Sequence, residues 1–225
     1  SLHEERHRKK MNKQRIKILK EHEHIPFGPY VARMKADPNF CKRLLELGKT
    51  LTQKHTKYLA GNIEHEYLYD LKKHPWIEEA LKIYVNTWIS GFKQFSGDFN
   101  FNPKHALDRL WINFQKVGEY NPVHTHPFSN LSFILFLEIP KEILEEKKII
   151  QGAPPGCTGF LYGETSPGFI THQVIKPEEG MLYMFPSNLR HYVSHFNSKN
   201  VTRTTVSGNI SFLGNAPNVK PKQAK

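Results

Sequence analysis

Two histidines separated by one residue, His124 and His126, are the first residues of this chain whose types and spacing suggest chemistry. On an extended segment, side chains two residues apart point to the same side, so the two imidazoles can converge on one metal ion. An apolar run at 131–137 follows at once and predicts a buried strand. Far downstream, His191 stands at the entrance to another predicted strand and supplies a third candidate ligand.

Each of these histidines also has an ordinary structural interpretation. The chain contains 13 histidines, so chance pairing must be weighed, and His22 and His24 form a second His-x-His that we assign to no site. His126 could be a ligand, or its ring could only hydrogen-bond nearby backbone. The spacing therefore predicts His124 and His191 as ligands and leaves His126 open between the two roles.

An arginine begins the last predicted strand, which alternates polar and apolar residues over its first half. One face of that strand would carry Arg203, Thr205, Ser207 and Asn209, and the other Thr204, Val206, Gly208 and Ile210. A guanidinium can bind a carboxylate through two parallel, charge-assisted hydrogen bonds. If the first face lines a cavity, Arg203 with Thr205 or Ser207 can hold such a group. The alternative is an exposed arginine at the start of a strand.

The composition is that of a globular, basic chain with few cysteines. Its 225 residues are 38% hydrophobic and 24% charged, which is enough for one sizeable domain with a core. Only Cys41 and Cys157 are present, which argues against a disulfide framework and favours a reducing, cytoplasmic setting. No apolar stretch is long enough to span a bilayer, so we expect no membrane partner.

The formal net charge is +11, and lysines and arginines crowd a basic arm over residues 1–24. We expect this arm to be helical or disordered. It could bind nucleic acid or another acidic partner through its lysines and arginines, or it could be a solvated extension. The charges are not interleaved with aromatic residues, which favours the extension.

Two helices are predicted ahead of the main run of strands. Asp37-Pro38 is typical of a helix start, and His74-Pro75 opens a second helix whose apolar residues repeat at helical spacing as far as Phe92. We expect these supporting helices to lie within residues 37–95. The second should bury its aromatic stripe against a sheet, because such stripes belong to cores far more often than to cofactor sites.

The second half of the chain reads as a succession of short strands separated by turns. The predicted strands are 107–116, 131–139, 158–162, 172–176, 181–185, 191–196 and 202–212, with a further short strand at 27–34 before the helices. This order predicts an α+β fold whose second half is a β-sandwich or small barrel. We place its β-barrel core at residues 107–213, within a single domain of residues 25–225.

Residues 107–212 resemble the double-stranded β-helix, a jelly-roll or cupin-like barrel, of the 2-oxoglutarate- and Fe(II)-dependent oxygenases. The resemblance rests on the order of the motifs. A His-x-His-Pro sequence at 124–127 is followed by a strand that begins Leu-Ser, and Phe185-Pro186-Ser187 precedes His191 and then Arg203. It is closest to phage and bacterial members with a His-x-His-Pro motif.

The resemblance implies a metal site with one departure from the usual pattern. Members usually carry His-x-Asp or His-x-Glu, which with the distal histidine leaves open positions on Fe(II) for oxygen. Here His126 occupies the carboxylate position, so the resemblance implies a three-histidine site of His124, His126 and His191. It leaves open whether the metal is Fe(II), Zn or Ni, all of which imidazoles hold.

The resemblance also implies how 2-oxoglutarate would be bound. Arg203, with Thr205 or Ser207, would hold the carboxylate distal to the metal. Similar enzymes recruit a tyrosine or an amide from the first strands, so Asn113, Gln115 and Tyr120 are further candidates. A tyrosine that is often found on the strand after the metal pair is replaced here by Phe136, which has no hydroxyl.

The expected function is therefore that of an oxygenase that decarboxylates 2-oxoglutarate to succinate and hydroxylates a protein side chain, a nucleotide or a small molecule. Two alternatives of other classes remain. One is a cupin-like three-histidine metalloenzyme that does not use 2-oxoglutarate, and the other is a non-catalytic β-sandwich binding module. The identity of the metal and the geometry of its ligands would separate these interpretations.

Overall fold

Ten strands and three helices are formed by the residues that the computed structural model describes, namely 27–56, 59–147 and 153–214. The predicted basic arm lies outside the described residues. The strands are β1 (Ala32–Lys35), β2 (Glu66–Leu68), β3 (Lys104–Gln115), β4 (Asn121–His124), β5 (Leu131–Glu138), β6 (Thr158–Leu161), β7 (His172–Ile175), β8 (Met181–Pro186), β9 (Arg190–Val193) and β10 (Arg203–Leu213). The helices are α1 (Pro38–Gly48), α2 (Trp76–Ser96) and α3 (Lys141–Glu145).

The strands form two antiparallel sheets, and the chain passes back and forth between them. The six-stranded sheet has the order β1-β8-β5-β10-β3-β2, and the four-stranded sheet has the order β4-β9-β6-β7. From β3 onward, the strands alternate between the larger and the smaller sheet, except that β6 and β7 follow one another on the smaller sheet. This is the winding of a double-stranded β-helix, and it confirms the predicted α+β fold with supporting N-terminal helices.

The β5 strand is apolar except at Ser132 and Glu138, because both of its faces are covered. Leu131, Phe133 and Leu135 pack on the outer side with the helices. On the inner side, Ile134 and Phe136 pack with Phe160 of the smaller sheet, which brings the two sheets into contact. A strand that is buried on both faces reads as a continuous hydrophobic run, as this one does.

The helices α1 and α2 cover the outer face of the larger sheet. Asp37 caps α1 by accepting a hydrogen bond from the Phe40 backbone N–H at 2.9 Å, as the Asp-Pro sequence predicts. The Asp37 backbone N–H donates to the Tyr84 hydroxyl at 2.9 Å, which ties α1 to α2. The buried side of α2 includes Tyr84 and Trp88, so the predicted aromatic stripe is confirmed as part of the core.

Some boundaries differ from the sequence-based prediction. The three-residue strand β2 was not predicted, because three residues are too few to show a period of two. The β3 strand begins at Lys104, before the predicted residue 107, and β9 ends at Val193, before the predicted residue 196. None of the described helices is long and apolar enough to cross a membrane.

Candidate metal centre and cosubstrate cleft

The three predicted ligand histidines lie together on the inner side of the smaller sheet. His124 of β4 and His191 of β9 are directly opposite one another in the strand pair, and their ring centroids are 4.2 Å apart. His126 follows two residues after His124, with ring centroids 5.0 Å from His124 and 5.2 Å from His191. One nitrogen from each ring can be chosen so that all three lie within 4.8 Å of one another. A single metal ion could therefore contact all three.

Backbone carbonyls fix the orientation of two of these rings. His124 Nδ1 lies 2.7 Å from the Pro122 carbonyl oxygen, and His191 Nδ1 lies 2.8 Å from the Leu189 carbonyl oxygen. A carbonyl oxygen only accepts, so each Nδ1 carries the proton and each Nε2 keeps a free lone pair. The same arrangement orients ligand histidines in metal sites generally, because it fixes both tautomer and ring direction.

His126 is held by its backbone and by packing of its ring. Its backbone N–H donates to the Ser187 carbonyl oxygen at 2.9 Å, and its ring lies 5.9 Å from the Trp111 ring. Among the described residues, no hydrogen bond occupies the His126 ring nitrogens. The ring is thus oriented toward the other two histidines with both nitrogens available.

Burial keeps all three imidazoles neutral near pH 7. Loss of solvent lowers the pKa of His191 to about 3 and that of His126 to about 4, with His124 adding to both shifts. Burial also lowers the pKa of His124. Neutral imidazole is the form that binds a metal, so the site is ready for a cation without first losing protons.

Arg203 is buried at the start of β10, in the larger sheet. It is 1% exposed, and its Nη1 donates to Gln115 Oε1 at 3.1 Å. Its Nε and Nη2 are buried without a hydrogen-bond partner. These two nitrogens form one edge of the guanidinium, the edge that binds a carboxylate in bidentate fashion. Two buried donors without an acceptor indicate that a ligand carboxylate fits here.

The walls around Arg203 keep it dry and in place. The guanidinium lies over the ring of Phe136, with Arg203 Cζ 5.2 Å from the ring centroid. Gly156 adopts φ +64°, and a Cβ there would lie 3.4 Å from Arg203 Cδ, so the glycine lets its turn close over the side chain. Burial lowers the pKa of Arg203 to about 10, which leaves it charged at neutral pH.

Gln115 positions Arg203, and Asn113 organises the neighbouring hydroxyls. Gln115 Nε2 donates to the Glu119 and Ser194 carbonyl oxygens at 2.7 and 3.0 Å, so its Oε1 is turned toward Arg203. Asn113 Nδ2 lies 3.2 Å from Thr205 Oγ1 and 3.3 Å from Ser207 Oγ. The predicted face of β10 is therefore the inner face of the sheet, opposite the histidines.

A family comparison decides what this arrangement belongs to. The family described as "Putative 2OG-Fe(II) oxygenase" has a model that matches residues 109–209, a range that includes the three histidines and Arg203. This part of the chain is similar to the 2OG-Fe(II) oxygenases. The resemblance inferred from the sequence is thus confirmed, as are Fe(II) and 2-oxoglutarate as the cofactors of an oxygenase.

Solved structures of 2OG-Fe(II) oxygenases have a similar fold. A 2OG-Fe(II) oxygenase family oxidoreductase from Burkholderia pseudomallei has a TM-score of 0.51 at 16% identity, with 80% of this chain and 84% of that chain covered. The viral collagen prolyl hydroxylase of Paramecium Bursaria Chlorella virus-1, in its 2OG complex, has a TM-score of 0.52 at 15% identity, with 81% and 96% covered.

A third similar structure is a prolyl hydroxylase from Trichoplax adhaerens, in complex with a hypoxia inducible factor oxygen degradation domain peptide fragment. Its TM-score is 0.50 at 12% identity, with 81% of this chain and 83% of that chain covered. At these identities the likeness concerns the fold. The search of curated proteins finds no match to this chain.

A cleft between the two sheets is lined by the three histidines together with residues of both sheets. It does not include every residue that the sequence suggested. Thr205 is buried beside Asn113, and Ser207 lines the cleft with the histidines. Tyr120 is 44% exposed, and it is the next residue, Asn121, whose side chain lines the cleft. The structure thus brings together Asn113, Gln115, Thr205 and Ser207 along the strand pair of β3 and β10, and leaves Tyr120 outside this group.

Two cleft residues of the oxygenase were not singled out from the sequence. Trp111 lines the cleft, and its position two residues before Asn113 on β3 is the signal that could have found it. Thr158 of β6 also lines the cleft, and its Oγ1 is buried without a partner. Thr158 follows a turn in an otherwise unremarkable run, so the sequence contains no signal for it.

Glu66 is a third residue that the sequence did not indicate. It is 0% exposed on β2, directly opposite Asn113 of β3, and both carboxyl oxygens lack a hydrogen-bond partner. Burial, with a smaller contribution from Glu119, raises its pKa to about 8. Directly paired residues share one face of a sheet, so this carboxyl belongs to the inner row of Asn113 and Thr205.

The orientation of the Asn113 amide shows what a protonated Glu66 can do. Asn113 Nδ2 lies 3.4 Å from the Thr205 carbonyl oxygen, which can only accept, so the amide oxygen must point to the other side, toward β2. Asn113 Oδ1 is buried and has no donor among the described residues. A protonated Glu66 carboxyl would supply a hydrogen-bond donor on the β2 side of Asn113, where the amide oxygen Oδ1 has none.

Proposed function

We propose that this chain is a 2-oxoglutarate-dependent hydroxylase in which His124, His126 and His191 hold Fe(II) and Arg203 holds the distal carboxylate of 2-oxoglutarate. The observation that carries the proposal is the pairing of two features on the inner faces of the two sheets. Three buried imidazoles converge on the smaller sheet, and an unpaired guanidinium edge lies on the facing sheet. Either feature alone would fit several kinds of binding site, but together they match the two ends of a chelating dicarboxylate.

The metal ion would be bound by neutral nitrogen ligands. His124 and His191 offer Nε2, because their Nδ1 atoms are engaged by carbonyls. Imidazole suits Fe(II), and it also suits Zn and Ni, so the identity of the metal is set by supply as well as by the ligands. A third histidine in place of a carboxylate leaves the ligand set without negative charge.

The cosubstrate would be held by charge and by hydroxyls. The unpaired Nε and Nη2 of Arg203 would donate to its distal carboxylate, and the Gln115 bond keeps that edge in position. Because Phe136 has no hydroxyl, the hydroxyls that could serve instead are those of buried Thr205 and of Ser207 and Thr158 in the cleft. A charge-assisted pair in so dry a site is strong, since little water competes for the donors.

The reaction follows from what the cofactors supply and what the cleft excludes. With oxygen, Fe(II) and 2-oxoglutarate supply an oxidant that converts a substrate C–H bond to C–OH, and 2-oxoglutarate leaves as succinate and carbon dioxide. The apolar lining, which includes Trp111, Phe185 and Val193, keeps water from this oxidant. The protein's contribution is thus to bind, orient and shield.

The experiment that tests this proposal measures binding and conversion separately. We expect anaerobic calorimetry to detect one Fe(II) per chain, and 2-oxoglutarate to bind only when the metal is present. Slow conversion of 2-oxoglutarate to succinate in air, without added substrate, should follow. Protein that binds the metal but no 2-oxoglutarate would favour a three-histidine metalloenzyme of another kind, and protein that binds neither would leave a non-catalytic module.

A further inference from the structure

A β-bulge interrupts β3 beside the metal cleft. Arg109 is paired with Asn209 of β10, but the next pair joins Leu107 to Ile210, so Asp108 has no partner. A bulge adds one residue to one strand and redirects the side chains around it. Here the result is a pocket lined by Asp108, Arg109 and the segment from Thr125 to Ser129. It shares His126 and Asn209 with the cleft.

The negative group of this pocket has a structural role. Asp108 Oδ2 accepts hydrogen bonds from Ser129 Oγ at 2.9 Å and from Ser211 Oγ at 2.6 Å. Ser129 belongs to the loop that follows His126, and its backbone N–H donates to the His126 carbonyl oxygen at 3.3 Å. The carboxylate of Asp108 thus fastens this loop to the bulge and is engaged in doing so.

The positive group of the pocket is not engaged in the same way. Arg109 is exposed, and no ion pair among the described residues includes it. Arg109 lines this pocket together with His126. A guanidinium without a carboxylate partner therefore lies next to one of the candidate metal ligands.

The charge balance of the cleft favours an anion at this position. The three imidazoles are neutral, so the two positive charges of Fe(II) would be cancelled by the two carboxylates of 2-oxoglutarate. The buried charge of Arg203 then remains, while at the entrance the charges of Arg109 and Asp108 oppose each other. Excess positive charge at a cleft attracts anionic ligands and raises their local concentration.

We infer that the bulge pocket is a subsite for the primary substrate, and that Arg109 binds an anionic group of that substrate, a carboxylate or a phosphate. This inference rests on the proposed function, because it takes the three histidines as the place where the reaction occurs. The exposed ring of Phe128, which is 97% exposed at the same pocket, offers an apolar surface beside the anion site. The subsite would place a substrate carbon toward the metal while its acidic group stays at the entrance.

The test uses inorganic phosphate and acetate as probes, with two independent readouts. The first is the NMR signal of the Arg109 Nε–H group, assigned by its loss in Arg109→Gln and followed while each anion is added to the metal-free protein. The second is the paramagnetic relaxation of the anion by Mn(II) in protein saturated with 2-oxoglutarate. Arg33→Gln is the control, because Arg33 is an exposed arginine on the edge strand β1.

We expect an anion to shift the Arg109 signal and to be relaxed by Mn(II), with binding at least about fivefold weaker in Arg109→Gln and unchanged in Arg33→Gln. The tighter of the two probes identifies the acidic group. A response of Arg109 no larger than that of Arg33, an anion that Mn(II) does not relax, or relaxation that survives Arg109→Gln would each overturn the inference. Failure of Mn(II) or 2-oxoglutarate to bind would instead count against the proposed function, while the metal-free titration still tests Arg109.

Discussion

His124 and His191 face each other across the strand pair of β4 and β9, and each donates its Nδ1–H to the carbonyl oxygen two residues before it. The two rings are therefore oriented by the same local device on neighbouring strands. Because the orienting groups are backbone atoms, the ligand geometry depends on the strand pair itself. The metal site is in this sense part of the smaller sheet.

The first prediction concerns the three histidines. His191→Ala should weaken Fe(II) binding at least about 100-fold, since even the loss of a group that orients a ligand costs 10- to 100-fold. His126→Ala should have a comparable effect if His126 is a ligand. Anaerobic calorimetry with Fe(II) measures both, and circular dichroism checks that the fold persists.

The matched control for this series is His195→Ala, which removes an exposed histidine close to His191 in the sequence. It should bind Fe(II) as the wild type does. Unchanged affinity in His126→Ala would reduce the centre to two histidines, and unchanged affinity in His191→Ala would refute the site.

The second prediction concerns Arg203. Arg203→Ala should weaken 2-oxoglutarate binding by about 2–5 kcal/mol, a loss of tens- to thousands-fold, while Fe(II) binding survives. Arg203→Lys should recover only part of the loss, because an ammonium lacks the two-donor edge. Calorimetry with 2-oxoglutarate on the metal-loaded variants gives the result, and Arg33→Ala is the surface control. Equal affinity in Arg203→Ala and the wild type would rule out this role.

The third prediction separates scaffold from site through α2. Trp88 is 3% exposed and stacks on Phe92 at 5.1 Å, so Trp88→Asp buries a charge where the core has no partner for it. The loss should exceed about 4 kcal/mol, which is most of the stability of a marginally stable domain. Ile83→Asp on the same helix is the control, since Ile83 is 65% exposed. Thermal unfolding followed by circular dichroism should separate the two variants, and a normally folded Trp88→Asp would mean that α2 does not pack as described.

The sequence predicted those features that repeat along one element. The alternation after Arg203 placed Thr205 and Ser207 on the inner face, and the helical spacing of Trp88 placed α2 on the core. The sequence did not predict pairings between a short strand and a strand far away in the chain. The strand β2 is only three residues long, and nothing local reveals that Glu66 lies opposite Asn113.

The bulge at Asp108 was missed for a related reason. Two adjacent polar residues, Asp108 and Arg109, break the alternation here, but such a break alone does not identify a bulge, and only the pairing with β10 reveals the extra residue. Pairing is a property of two segments about a hundred residues apart. A single sequence contains the period of each strand but not their register, so Arg109 could not be placed beside His126.

The fourth prediction concerns the buried carboxyl of Glu66. Its pKa is about 8 in the folded protein and about 4.5 when unfolded, so between these values the folded state holds a proton that the unfolded state releases. Stability should therefore fall as pH rises from about 4.5 to 8, by on the order of 2–4 kcal/mol. Glu66→Gln stays neutral at every pH and keeps a donor group at this position, so it should lose this component of the pH dependence.

Urea unfolding of both proteins at pH 5 and pH 9 measures the difference. Relative to the wild type, Glu66→Gln should gain stability at pH 9, because the other titrating groups are common to both proteins and cancel. Glu64→Gln is the matched control, an exposed carboxyl two residues away, and its stability should follow the wild type at both pH values. If the stability difference between Glu66→Gln and the wild type were the same at both pH values, Glu66 would not hold a proton in the folded state. The donor for Asn113 Oδ1 would then have to come from another group.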